Sequence, residues 1–217
     1  MAPMRIQASV TSKPLSPEVP AQYRKAAAVA VTRTAWDVRE GLMRGMQTSF
    51  DRPNPFTMRA FRVDGAVAGA QQIQATVWAA PLQARYLFWQ IEGGVRRSKG
   101  FENRMDLRGT EVALPTDEST RDAYGNMPLS FIKRVAGDKN SGGTAKRFFT
   151  GTPKGSGRPE GVWARVDGNR RLVPLMLFGT QARYEKRFDM SAIAGRVVDA
   201  KFESQLLRAL GAAQRKA

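Results

Sequence analysis

Three features of the chain predict an α+β fold. Apolar residues recur at helical spacing near both ends, at Ala27, Val31, Ala35, Val38, Leu42 and Met46 and again at Ile193, Val197, Phe202, Leu206 and Leu210. Between them lie strand-like alternations, Gln72–Ala79 above all. The strands follow one another without a regular strand–helix–strand alternation, which argues against a parallel sheet. The expected architecture is a long N-terminal helix and a C-terminal helix packed on an antiparallel sheet, with long basic loops. An extended arm, residues 1–18, precedes a single domain over 19–217.

The arm is read from Pro3, Pro14 and Pro17 and from its lack of apolar periodicity. Pro17 and Pro20 sit where a helix can begin, because a missing N–H costs nothing in the first turn. The helix is expected to run to about Gln47. Its Ala-rich stripe allows another backbone to come close, and Arg33–Asp37 and Glu40–Arg44 are spaced as ion pairs on the opposite face. Phe50-Asp51-Arg52-Pro53-Asn54-Pro55 then forces a rigid turn. Asp51, Arg52, Pro53 and Pro55 are assigned to that turn, Asp51 accepting backbone N–H groups or pairing with a cation. Thr57–Val63 reads as a strand and Gln72–Ala79 as its hairpin partner. Arg85–Ile91, with Tyr86, Phe88 and Trp89, fits strand or helix and stops at Gly93-Gly94.

Residues 95–126 read as irregular. Asn126 is placed as the cap of a short helix containing Leu129, Ile132 and Val135. Residues 137–161, rich in Gly, Ser, Thr, Lys and Pro, read as a long mobile loop. Val162–Val166 and Leu172–Phe178 flank Asp167-Gly168-Asn169, a hairpin signal. Asp189 is expected to cap the last helix, from about Met190 to Leu210.

With 217 residues the chain is long enough to bury roughly 70% of its unfolded surface. Its 42% hydrophobic content is close to that of an ordinary globular protein. There is no Cys and no His. That excludes disulfides, thiolate nucleophiles, Cys- or His-ligated metals and Ser-His-Asp chemistry. Lys and Arg outnumber Asp and Glu by 35 to 19, a net charge of +16 that points to polyanionic or acidic partners. Met1–Lys13 has no apolar run resembling a signal peptide, and no stretch approaches the roughly 20 apolar residues of a membrane span, so a cytoplasm-like compartment is expected.

No catalytic, metal-binding or cofactor-binding residue is assigned. Gly151-Thr152-Pro153-Lys154-Gly155-Ser156-Gly157-Arg158 fails the phosphate-loop template, since Gly155 is not followed by Lys, and no helix follows it. Asp117, Glu118 and Asp122 read as a solvated acidic patch rather than a magnesium site. Lys133 has no feature supporting Schiff-base chemistry. Trp36, Trp78, Trp89 and Trp163 read as core or interface anchors. The basic segments carry the functional reading instead. Lys133–Arg158 holds seven cations against one acid, Asp138, together with Phe148-Phe149. An apolar pair among cations has the composition of a docking surface, so Lys146, Arg147, Phe148 and Phe149 are assigned to partner docking. Arg96, Arg97 and Lys99 are assigned to phosphate contacts with DNA.

The stretch Phe50-Asp51-Arg52-Pro53-Asn54-Pro55-Phe56-Thr57, after a helix containing Thr32-Arg33-Thr34-Ala35, resembles the minor tail protein Z family of tailed bacteriophages. Ala75-Thr76-Val77, Tyr86-Leu87, Gln90-Ile91-Glu92-Gly93-Gly94 with its Arg-rich sequel, Tyr124-Gly125-Asn126 and the closing amphipathic helix follow in the same order. The likeness covers the chain from about residue 20 onward. It implies a non-enzymatic virion protein of the neck or tail, made in the host cytoplasm. Such a protein acts as a head–tail connector or tail-completion subunit in a homo-oligomeric ring around the DNA channel. The implied partners are further copies of the chain, neighbouring neck, portal or tail proteins, and genomic DNA contacted without sequence preference, with no membrane. The alternative reading of the same basic segments is a nucleic-acid-binding protein without enzymatic activity.

Overall fold

The computed structural model describes residues 7–16, 18–138 and 147–215. Along the chain run β1 (Gln7–Thr11), α1 (Ala21–Ser49), α2 (Pro55–Met58), β2 (Phe61–Asp64), β3 (Gln74–Ala79), α3 (Pro81–Glu92), β4 (Gly94–Arg96) and α4 (Gly100–Asn103). They are followed by β5 (Val112–Pro115), α5 (Leu129–Asp138), β6 (Phe148–Gly151), β7 (Gly161–Val166), β8 (Arg171–Gly179), β9 (Ala182–Tyr184) and α6 (Met190–Gln214). The class is α+β, and all strand pairs are antiparallel. Where the sequence suggests one body over 19–217, the contacts divide the chain into two compact units. One comprises Met1–Gly93 with Glu185–Ala217, the other Gly94–Tyr184.

In the first unit, β3 is the centre of a three-stranded sheet ordered β1-β3-β2. Its alternation is the expected one: Ile73, Ala75, Val77 and Ala79 are buried. They meet Val31, Ala35, Val38, Leu42 and Met46 of α1 in one core. Ala27, expected on that stripe, is only partly buried. The arm is corrected in part. Gln7–Thr11 is an edge strand paired with β3, Val10 opposite Ala75, and Val10 is buried. Alternating Ala8 and Val10 supply the apolar face. Residues 1–6 and 17 lie outside the described residues.

The strand expected from Thr57 begins later, at Phe61, because Asn54 starts a helical turn first. The Asn54 side chain accepts the Thr57 N–H at 2.8 Å, and Pro55 occupies the first turn. Arg85–Ile91 is helical within α3, which starts on Pro81 and buries Ala84, Leu87 and Ile91 at helical spacing. Asp189 caps α6 as expected, accepting the Ala192 N–H at 3.0 Å. Phe188, just before the cap, is fully buried between Phe61 and Phe50, with ring centroids 6.2 and 5.7 Å away.

α6 lies chiefly along α1. The close approach runs through Gly41 and Gly45, where an added Cβ would come within 2.7 Å of Val197 and 2.6 Å of Ile193. Toward the other end Ala26 and Ala30 meet Ala209. Of the two expected ion pairs on α1, Glu40–Arg44 forms at 2.9 Å. Asp37 instead accepts a hydrogen bond from Gln205 of α6 at 2.8 Å, a helix-to-helix bond that local spacing does not encode.

The second unit holds a four-stranded sheet, β5-β8-β7-β6, and a two-stranded pair, β4-β9. The expected hairpin is β7–β8. Asp167, Gly168 and Asn169 in its turn all take positive φ, as residues of a tight hairpin turn do. Two expectations change. The irregular stretch 95–126 contains β4, α4 and β5, and the loop 137–161 contains β6. Residues 139–146 lie outside the described residues. Gly and Lys around Phe148–Gly151 mask a strand that pairs with the next one, β7, across a long connection. The α5 helix starts directly after Pro128, whose carbonyl accepts the Ile132 N–H; Asn126 is not its cap. The core joins Phe131 and Val135 of α5 to Phe148, Val162, Ala164, Leu175 and Met176.

Gly41→Leu is expected to lower stability by about 1–3 kcal/mol through overpacking against Val197. The control, Gly195→Ala, has open space around it in α6 and should raise stability by about 0.5–1 kcal/mol. Urea unfolding followed by circular dichroism measures both.

Candidate interaction surfaces

The three cations assigned to DNA phosphates separate in the structure. Arg96 is 6% exposed and Glu102, from α4, is fully buried. They form a two-pronged ion pair, Arg96 Nη1 and Nη2 each donating to a Glu102 oxygen at 2.6 Å. Glu102 also accepts the Lys99 N–H at 2.5 Å and the Ala113 N–H at 3.0 Å. The carboxylate therefore ties β4, α4 and β5 together. This assignment is corrected: Arg96 is a structural residue, because its guanidinium is already committed to a buried partner. Arg97 and Lys99 remain exposed. The sequence reading missed Glu102. Its signal was an acid alone among Arg96, Arg97, Lys99 and Arg104, three residues after a helix start, where Glu commonly reaches back to the backbone.

Burial alone would push the Glu102 carboxyl up. The Arg96 hydrogen bond and then the two backbone N–H groups outweigh it and hold the group below its ordinary value of 4.5. Arg96 is raised above its ordinary value, first by the bond to Glu102.

The docking residues divide in the same way. Lys146 lies outside the described residues. Phe148 is 5% exposed and belongs to the core of the second unit, so it is corrected from docking anchor to core residue. The Arg147 and Arg134 guanidiniums lie over its ring at 5.6 and 5.9 Å. Phe149 points the other way, half-buried, with the Arg165 guanidinium 4.6 Å from its ring centre. Opposite it on β7 is Trp163, under the Arg158 guanidinium at 5.5 Å. Arg158 also donates to the Leu172 carbonyl. The result is a sheet face of two aromatic rings, each overlain by an arginine. Trp163 is too deeply buried to stack on a base, but the guanidiniums are placed to meet anions.

A further surface lies on α1. Lys25, Val29, Arg33 and Trp36 recur at spacings of four, four and three on a face away from the core stripe. Trp36 is 51% exposed and Val29 43%. With Ala28, Thr32, Ala66 and Ala68 they line an open groove of about 540 Å³. Arg39 lies over the Trp36 ring at 5.4 Å and donates Nε to the Phe61 carbonyl at 3.0 Å, which anchors it to β2.

The motif residues behind the family resemblance as far as Gln90 build joints of the first unit, and the turn at Tyr124-Gly125-Asn126 belongs to the second. Thr32 Oγ1 accepts the Ala66 N–H at 2.9 Å, while Thr34 and Ala35 are buried. The turn holds Arg52 at positive φ, with its guanidinium bonded to Asp51 at 3.1 Å in an exposed pair. Pro53 and Pro55 flank the Asn54 cap. Thr57 Oγ1 meets the Tyr86 hydroxyl at 3.0 Å, and the Gln90 carbonyl accepts both the Arg187 and Phe188 N–H groups. Asp122 closes the turn at Tyr124-Gly125-Asn126 by accepting two backbone N–H groups. Among the described residues no group of three His, Cys, Asp or Glu is placed to hold a metal ion, and no helix is long and apolar enough to cross a membrane.

Comparisons with protein-family models, with characterised proteins and with solved structures return no match.

Glu102→Gln should destabilise the second unit by about 3–5 kcal/mol, since it strands the Arg96 charge in the interior. Because the folded carboxyl lies below 4.5, its contribution is full above that pH and disappears as pH falls through the lower folded value. Acid titration followed by near-ultraviolet circular dichroism of the buried Trp163 should show this loss in the wild type and a weaker acid dependence in the variant.

Proposed function

We propose that the chain is a structural subunit of a tailed bacteriophage that completes the tail or joins it to the head. It acts by binding, in a ring of like subunits around the DNA channel, within the neck or tail of the virion after assembly in the host cytoplasm. The observation that carries this reading is the ordered series of motifs from Thr32 to Asn126. Those from Thr32 to Gln90 make joints of the first unit and leave its α1 face, with Trp36, turned outward. A half-exposed Trp flanked by Arg is the residue chemistry of a protein–protein anchor. Cyclic rings of this kind use two different patches on each subunit. The neighbours are portal, neck or tail proteins, and the exposed cations Arg97 and Lys99 suit contact with DNA in passage.

The Arg165–Phe149 and Arg158–Trp163 pairs favour a second reading, a basic nucleic-acid-binding protein without enzymatic activity. One experiment separates the two. Without this chain, an induced phage lysate should accumulate full heads and tails that remain unjoined, and purified protein added to the lysate should restore infectious particles. Normal particle yield in its absence overturns the first reading. Tight DNA binding by the isolated chain, weakening steeply between 50 and 200 mM salt on the order of 10³-fold or more, supports the second.

A further inference from the structure

The groove on α1 has a counterpart on the same chain. On α6, Asp199, Glu203 and Leu207 are each four residues apart and all exposed, Leu207 to 62%. They form a stripe of two acids and one large apolar side chain on a face away from α1. The groove is the inverse: two cations, Lys25 and Arg33, beside Val29 and Trp36, and no acid among its lining residues. Among the described helices only α6 carries two exposed acids one turn apart with an exposed large hydrophobe a turn beyond.

We propose that the α1 groove of one copy takes the Asp199–Glu203–Leu207 stripe of a second copy. The spacings match when the two helices run parallel. Arg33 lies about one turn before Trp36, as Glu203 does before Leu207. Leu207 against Trp36 therefore brings Glu203 to Arg33 and both Asp199 and Ala200 to Val29, with Lys25 a further turn toward the helix start. A crossing angle of about 50° confines such contacts to roughly two turns, which leaves both Lys25 and Arg196 outside them. The Trp36 ring is held in advance by Arg39, so little side-chain freedom is lost on docking. A second copy is the favoured occupant because of charge. Two molecules of net charge +16 repel at a distance, and only a locally acidic patch on one can seat against the cations of the other. The contact joins unlike surfaces, so each copy keeps one groove and one stripe free for the next. It deepens the proposed ring and rests on that reading only for closure.

The chain has no cysteine, so introduced thiols report without background. Val29→Cys and Ala200→Cys lie at the rim of the contact and leave Trp36 and Leu207 in place. Mixed and oxidised, the two full-length variants should give a disulfide dimer that neither gives alone. By sedimentation equilibrium, Trp36→Ala should weaken self-association at least tenfold. Arg33→Glu should do likewise, and Glu203→Arg added to it should restore association. Cross-linking of Val29→Cys with itself would make α1 its own partner and overturn the assignment. Capture of Val29→Cys only by a different particle protein would give the groove to that partner and equally overturn it. Association indifferent to Trp36 and Arg33 would place the contact elsewhere while leaving an oligomer intact. A wild type that stays monomeric with no mixed disulfide would also overturn the contact. The joining role is judged separately, by particle yield with and without the chain.

Discussion

Thirty-five cations share nineteen acids in this chain, and the structure is shaped by where the surplus goes. Of the 35, 25 are arginine. A lysine ammonium deprived of a carboxylate turns to water, whereas a planar guanidinium can lie on a ring and donate sideways to carbonyls. Both habits recur. Arg24 donates to the Ala68 and Ala70 carbonyls and fastens the β2–β3 loop to α1. Arg39 spans the Phe61 carbonyl and the Trp36 ring. Arg108 and Arg121 close loops onto backbone oxygens, and five aromatic rings each have a guanidinium within 6 Å. Among the described residues only Arg96 goes inside, and it does so with the one acid there that is fully buried. Removing such a partner leaves a charge with no water to solvate it, so the junction of β4, α4 and β5 is held by a contact with no cheap substitute.

Legibility in the sequence followed the range of the interactions. Both long helices could be read, because an apolar stripe at i, i+3 and i+4 and a cap such as Asp189 are local signals. So could β3 and the β7–β8 hairpin, where alternation and Asp167-Gly168-Asn169 lie within a few residues. The errors fell where pairing is distant. β1 joins β3 across more than sixty residues, Val10 opposite Ala75, and its composition alone reads as an arm. β6 pairs with the next strand, β7, across a Gly- and Pro-rich connection without a tight-turn signal, and Phe148, which composition places among exposed cations, fills the core. Short elements were lost too. α4 is four residues long, and its stability comes from Glu102 rather than from periodicity.

The candidate surfaces were less legible than the fold for a related reason. A run of cations looks the same in sequence whether its members meet solvent, carboxylate or ring. Arg96 and Arg97 are neighbours, yet one is buried in an ion pair and the other exposed. The strand pleat separates them, sending successive side chains to opposite faces. Sequence alone places Trp36 as a core or interface anchor without deciding between the two. The choice is made by its helical phase: the core stripe of Val31, Ala35 and Val38 leaves Trp36 on the outward side with Val29 and Arg33.

Histidine-free composition adds a constraint on how these surfaces respond to their surroundings. No side chain here has an ordinary pKa between pH 5 and 8. Glu102, the acid with the most structural consequence, is held charged to still lower pH by Arg96. What does change the balance in the neutral range is ionic strength. Exposed groups such as Arg33, Arg97, Asp199 and Glu203 interact through water and are screened over about 8 Å at physiological salt, whereas the Arg96–Glu102 pair is shielded by burial. Salt therefore acts on contacts between molecules and leaves the internal frame of the second unit intact. Among the described residues one ion pair lies inside and nearly every other charge at the surface.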